Sequence, residues 1–151
     1  MITVRRAVPE DSEILNHLFY KGALETYNQE SPISFNQIQE LTKTYFCIGK
    51  FINIFFDGDR LVGACSHEVM GQILSTVHIN VDENFRGQGL AHKMLLMDKA
   101  LYGGPLMSIV PESNERSIKS FLRAGYLPIG YMPNCWNQGG NIIGRVILFK
   151  E

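Results

Sequence analysis

One stretch of the chain limits its fold more than any other. Residues 77–101 run from a β-rich segment through Arg86-Gly87-Gln88-Gly89-Leu90-Ala91 into an amphipathic helical pattern carried by Leu90, Met94, Leu95, Ala100 and Leu101. Glycines between a strand and a helix let the backbone turn tightly and approach a ligand with no Cβ in the way. The helix that follows offers unpaired N–H groups and the positive end of its dipole, which together favour a phosphate or pyrophosphate. Arg86 adds a charge-assisted contact to that picture. No Gly-Lys-Ser/Thr follows, so this is not a Walker A loop. Gly87-x-Gly89 lacks the third glycine of a dinucleotide fingerprint. A chain that only needs an eased strand-to-helix turn with a solvated arginine would read the same way over so short a motif.

The flanking sequence supplies the rest of an α/β pattern. Ile2 to Arg5 reads as a strand, and Pro9-Glu10-Asp11 opens a helix with apolar positions at Ile14, Leu15, Leu18 and Phe19. Ser34 and Gln37 form a capping box ahead of Ile38 and Leu41. From Phe46 the period becomes that of strands: Phe46 to Phe56, a turn at Asp57 to Arg60, Leu61 to Met70, and Ile73 to Val81 after Gly71. After the glycine segment and its helix come a short strand at Leu106 to Val110 and a helix from Asn114 to Ala124. Two further strands follow, near Tyr126 to Tyr131 and Ile142 to Phe149, joined by a loop over Pro133 to Asn141. The order β-α-α-β-β-β-α-β-α-β-β predicts an α/β (α+β) domain over residues 1–151: a single mixed, mostly antiparallel sheet with helices on both faces.

Composition closes off several function classes. Fourteen Lys and Arg against fifteen Asp and Glu leave a net charge of −1, which disfavours generic nucleic-acid binding. Three cysteines without a C-x-x-C argue for a reducing compartment. The four histidines have no zinc-like spacing, so no metal is expected. The longest apolar run, Phe51 to Phe56, is far shorter than the ~18 residues of a membrane span. A cytoplasmic protein with no membrane partner is the expectation.

The segment Val81-Asp82-Glu83-Asn84-Phe85-Arg86-Gly87-Gln88-Gly89-Leu90-Ala91 resembles the acetyl-coenzyme A motif of the GNAT superfamily of N-acetyltransferases, a strand-ending Val followed by R-x-x-G-x-G/A at a helix start. Asn114-Glu115-Arg116-Ser117-Ile118, with Phe121 and Gly125-Tyr126, is similar to the family's second segment. The opening Ile2 to Asp11 resembles its first strand and helix. The resemblance implies a GNAT-like transferase of the N-acetyltransferase type, with acetyl-CoA as co-substrate, no metal and an amine acceptor, either a small molecule or a protein amine. It implies that Arg86, Gly87, Gln88, Gly89, Leu90 and Ala91 cradle the pyrophosphate, and that backbone groups near Ile79 and Val81 pair with the pantetheine arm. The Ile79 amide would also polarise the acetyl carbonyl. Asn114 would bond the cofactor arm, or serve only as an N-cap.

Three residues are alternative general bases: His67, Glu68 and His78. Strand parity sets His78 on the face opposite Val77, Ile79 and Val81, and a one-residue slip at the Met70-Gly71 turn would exchange His67 for Glu68. Each also reads as a structural or solvated residue. Where many family members carry a tyrosine to protonate the departing thiolate, this chain has Phe121, with Tyr126 and Tyr131 the nearest alternatives. Tyr20, Glu25, Tyr27, Glu30 and Trp136 are candidates for an acceptor site in which acids attract a cationic amine. Two other readings stay open: a catalytically silent acetyl-CoA-binding module, and an interaction protein on the same fold. The apolar strand Ile142 to Phe149 could pair with a second subunit in a homodimer, or be internal.

Overall fold

Apolar alternation punctuated by glycine turns builds a seven-stranded sheet in the structure, a computed structural model that describes residues 1–26, 33–138 and 140–151. The strands are β1 (Ile2–Arg6), β2 (Lys50–Asp57), β3 (Arg60–Met70), β4 (Ile73–Val81), β5 (Leu106–Pro111), β6 (Leu127–Gln138) and β7 (Asn141–Lys150). The helices are α1 (Ser12–Thr26), α2 (Phe35–Thr44), α3 (Leu90–Tyr102) and α4 (Glu115–Arg123). Across the sheet the strands lie in the order β1-β2-β3-β4-β5-β7-β6, and only the β4–β5 pair is parallel. This is the mixed, mostly antiparallel sheet expected from the sequence. Among the described residues, no helix is long and apolar enough to cross a membrane.

Local chemistry explains the helix starts. Asp11 accepts the Val8 N–H at 2.8 Å and both arms of the Arg5 guanidinium at 2.7 and 2.8 Å, which holds its carboxyl below the usual range. The Ser34 hydroxyl accepts from Gln37 N–H at 3.2 Å while the Gln37 side chain accepts from Ser34 N–H at 2.7 Å, a complete capping box. The core lies on both faces of the sheet. Ile52, Ile54 and Ala64 pack beneath α1 and α2 on one face. Leu74, Leu106, Val110 and Leu148 meet Leu95 of α3 and Phe121 of α4 on the other. Full burial of each such aliphatic side chain contributes about 1.5–3 kcal/mol relative to exposure.

Two sequence expectations are corrected, and one that the sequence left open is decided. The loop over Pro133 to Asn141 is mostly strand: β6 continues to Gln138, with register breaks between Pro128 and Gly130 and between Met132 and Trp136, where Asn134 takes φ +51°. Pro128 and Pro133 are tolerated because β6 is an edge strand and both lie in or beside its register breaks. β7 is internal, flanked by β5 and β6, so it has no free edge to offer a second subunit. β2 starts at Lys50 rather than Phe46, because Gly49 at φ +80° turns the chain just before it.

Candidate active site

The β4–β5 pairing lasts for two residue pairs, Leu74↔Leu106 and Ser75↔Met107, and then the strands diverge. At the fork the Ser108 hydroxyl donates to the Thr76 carbonyl at 2.8 Å. The cause lies in β4, where a bulge against β3 leaves Val77 unpaired between Thr76, opposite His67, and His78, opposite Ser66. Before the bulge Leu74 sends its N–H towards β5, to the Pro105 carbonyl at 3.0 Å. Beyond it Asp82 N–H reaches the Val62 carbonyl of β3 at 2.9 Å, so by antiparallel alternation Asn80 and His78 also face β3. Ile79 and Val81 therefore turn their backbone groups to the open seam. Arg86 Nε donates to the Val81 carbonyl at 3.0 Å, leaving the Ile79 amide and carbonyl and the Val81 amide as the seam's polar edge.

The glycine segment closes one end of that seam. Gly87 and Gly89 take φ +76° and +71°, and nothing lies within 4 Å of where a Cβ would stand on either. Gly89 is the N-cap of α3, whose first intrahelical bond runs from Lys93 N–H to Gly89 O. The amides of Leu90, Ala91 and His92 have no intrahelical acceptor. They border a cleft of about 800 Å³ together with Arg86, Arg116 and Arg123. Arg86 is braced by an ion pair with Glu25 of α1. Open amides at a positive helix end with arginines nearby fit a phosphorylated ligand.

A second cleft of about 930 Å³ lies against the first, and Gly22, Ile79, Asn80, Asn114, Ser117 and Gln138 line both. Asn114 caps α4, its side-chain oxygen accepting from Ser117 N–H at 3.2 Å, and it faces both clefts as well. The second cleft continues between α1 and α2 on one side (Phe19, Ile38, Leu41) and β5 to β7 on the other (Ile109, Trp136, Arg145). Asn80 and Arg145 are wall residues that sequence reasoning did not single out. Only the bulge and the strand order bring them together.

The three candidate bases separate. His78 lines the second cleft with Val77, the residue that the bulge leaves unpaired. Its ring meets Tyr45 edge-on at 6.4 Å, and burial lowers its pKa to about 4. The bulge breaks the strict alternation on which the parity expectation opposing His78 to Val77 relied. His67 is fully buried on the α3 side, against Phe51 at 5.0 Å, with Nε2 3.1 Å from Asp98 Oδ2 and Nδ1 3.3 Å from the Thr76 hydroxyl. Asn53 donates to the other Asp98 oxygen at 2.8 Å. Burial, and then the Asp98 carboxylate, push the Cys65 thiol up. Cys65, His67 and Asp98 hold one donor atom each within 4.8 Å of one another, a cluster that sequence spacing could not reveal. Glu68 faces Lys50 at 3.8 Å, outside both clefts.

The tyrosines and acids also fall out differently from expectation. Phe121 walls the second cleft and is buried edge-on against Tyr126 at 4.9 Å. Tyr126 is itself buried, its hydroxyl pushed far up by desolvation, and Tyr131 donates to Glu112 at 2.8 Å. Neither lines a cleft. Tyr20 packs on Phe35, Glu25 serves Arg86, and Trp136 is in the second cleft. Tyr27 and Glu30 lie outside the described residues.

Known structures share this architecture throughout. Spermidine N-acetyltransferase from Vibrio cholerae, in complex with CoA and spermine, superposes at TM-score 0.81 with 14% identity over 99% of this chain and 94% of its own. An assigned GNAT-family acetyltransferase from Desulfovibrio desulfuricans gives 0.75 with 16% identity over 100% and 99%. The chain has the GNAT fold. A Salmonella typhimurium protein assigned as an acetyltransferase and holding its cofactor acetyl-CoA shares that GNAT fold at TM-score 0.75, with 13% identity over 100% and 94%. No family model matches the chain, and no curated protein matches it at the level of sequence.

Proposed function

We propose that the chain is an acetyl-coenzyme A-dependent N-acetyltransferase acting on a primary amine. One observation carries this reading. The cleft at the open amides of the α3 start adjoins, with the unpaired edge of Ile79 in their shared wall, an apolar cleft large enough for a second reactant. Two solved proteins of the same fold hold CoA or acetyl-CoA. Here the residues from Arg86 to Ala91 bind the diphosphate, and the Ile79 backbone edge and Asn114 hold the pantetheine arm. Bound acetyl-coenzyme A supplies an activated thioester.

Juxtaposing the two reactants removes much of the translational and rotational cost of the reaction. The amine nitrogen bonds to the acetyl carbon, the C–S bond breaks, and the thiolate leaves with the electron pair. The Ile79 N–H stabilises the oxygen that becomes negative. His78, neutral at pH 7, accepts a hydrogen bond from the amine and orients it. Its pKa of about 4 is too low for an efficient base, so the amine proton passes to water. Phe121 has no proton to give. A thiol pKa near ~8.5 makes the thiolate a tolerable leaving group without a tyrosine donor.

The test is thermal unfolding with acetyl-coenzyme A, for the wild type and for Ala91→Glu. An acid in the first turn of α3 favours the helix but repels a phosphate beside it. Ligand at ~100 times its dissociation constant should raise the wild-type Tm by roughly 5–10 °C, and that of the variant hardly at all. No wild-type shift at millimolar cofactor defeats the proposal. Binding without acetyl transfer to any amine would favour a silent cofactor-binding module, a reading that rests on Phe121 and on the weak basicity of His78.

A further inference from the structure

The second cleft carries a charge pattern that its apolar walls make conspicuous. No carboxylate lines it among the described residues, and apart from the neutral His78 its one ionisable side chain is Arg145. That guanidinium lies over the Trp136 ring at 5.0 Å and makes a single long contact, Nη2 to the Ile109 carbonyl at 3.5 Å. Its Nε is buried and meets no hydrogen-bond partner among the described residues. The nearby acid is already committed: Glu112 accepts the Gly144 N–H and the Tyr131 hydroxyl, both at 2.8 Å. Glu25, which might have drawn a cation, pairs with Arg86 in the neighbouring cleft.

An arginine held over an aromatic face with a spare donor is suited to a planar, two-oxygen anion. Leaving it unpaired beside apolar walls is costly, and a substrate carboxylate relieves that cost. From these contacts we infer that the acceptor is an amine bearing a carboxylate and an apolar body, such as an apolar amino acid, with Arg145 as the residue that selects it. The inference rests on the acetyl-transfer reading, since that reading makes this cleft the acceptor's. It also sets the chain apart from the spermidine enzyme that shares its fold, because a polycation would meet Arg145 and no acid among the described walls.

Paired probes isolate the carboxylate: leucine against 3-methylbutylamine, and phenylalanine against 2-phenylethylamine, with spermidine as the polycation. The protein has one tryptophan, and it stands beside Arg145, so Trp136 emission reports acceptor binding to the coenzyme A complex. Acetyl transfer is followed as thiol release. The wild type should prefer each amino acid to its decarboxylated partner by at least ~100-fold in kcat/KM, since a site built to bond a group rejects analogues that lack it. Arg145→Ala should abolish that preference while leaving the acetyl-coenzyme A shift and the circular dichroism unchanged, and Arg145→Lys should recover part of it. Equal use of both partners, preference for spermidine, or an emission titration unmoved by either amino acid overturns the inference while acetyl-coenzyme A still binds. Absence of cofactor binding would instead remove the reading beneath it.

Discussion

Burial, rather than a charged partner, sets the protonation of His78. In an unfolded chain a histidine titrates near ~6.5, whereas His78 in the fold sits at about 4. Between those values the unfolded chain binds more protons than the native one. The histidine's contribution to stability is therefore flat above pH ~6.5 and falls as pH drops towards about 4. At one pK unit per ~1.4 kcal/mol, the loss from this group amounts to at most about 3 kcal/mol. Denaturant unfolding at pH 7.5 and 4.5 should show His78→Gln losing about 1–3 kcal/mol less between the two than the wild type. Equal losses would mean that the His78 ring is charged in the fold at acid pH. His67, the other histidine of the β3–β4 pair, stands apart from both clefts, beside Asp98 and Thr76.

At the scale of elements, α1 seats on β4 through an absent side chain. A Cβ on Gly22 would stand 2.1 Å from the Asn80 side-chain oxygen, and both residues line the two clefts. Alanine is otherwise better than glycine within a helix by up to ~1 kcal/mol. Gly22→Ala makes the Asn80 side chain swing aside, so it should be neutral or destabilise the wild type by up to ~1 kcal/mol, yet stabilise an Asn80→Ala background by up to ~1 kcal/mol. The difference is a coupling of about 1 kcal/mol in a double-mutant cycle read by urea unfolding. Additive effects would show that α1 does not rest on this contact. No sequence pattern announces such a pair. The sequence lets the first helix fade over residues 22–27, and α1 ends within that span, at Thr26. Signals that act within a few residues were legible: the Ser34–Gln37 box, the Asn114 cap, the glycine turn into α3 and the two turns joining β2, β3 and β4 stand where the sequence places them. Signals that depend on a neighbouring strand were not. The Val77 bulge breaks the alternation of β4, the register breaks let β6 carry its prolines, and Cys65, His67 and Asp98 meet only because α3 covers β3.

Taken as a whole, the molecule is a sheet with a weak line through it. β1 to β4 and β5 to β7 join through two residue pairs, the Ser108–Thr76 hydrogen bond and the helices packed across them. A ligand lying in the seam would supply the backbone partners that the diverging strands cannot, whereas one held only by the α3 start would not. The two cases separate by hydrogen exchange. With acetyl-coenzyme A bound, amides of residues 87–92 should slow as the diphosphate docks. Ile79 and residues 108–114 on the two sides of the seam should slow by tenfold or more, because opening there now requires the ligand to leave. The β1–β2 and β6–β7 ladders, remote from the seam, should change only by the smaller factor set by global stability. Protection confined to residues 87–92 would show a phosphate-binding loop beside an unused seam. The two clefts would then lose the feature that the proposal uses to join them into one site.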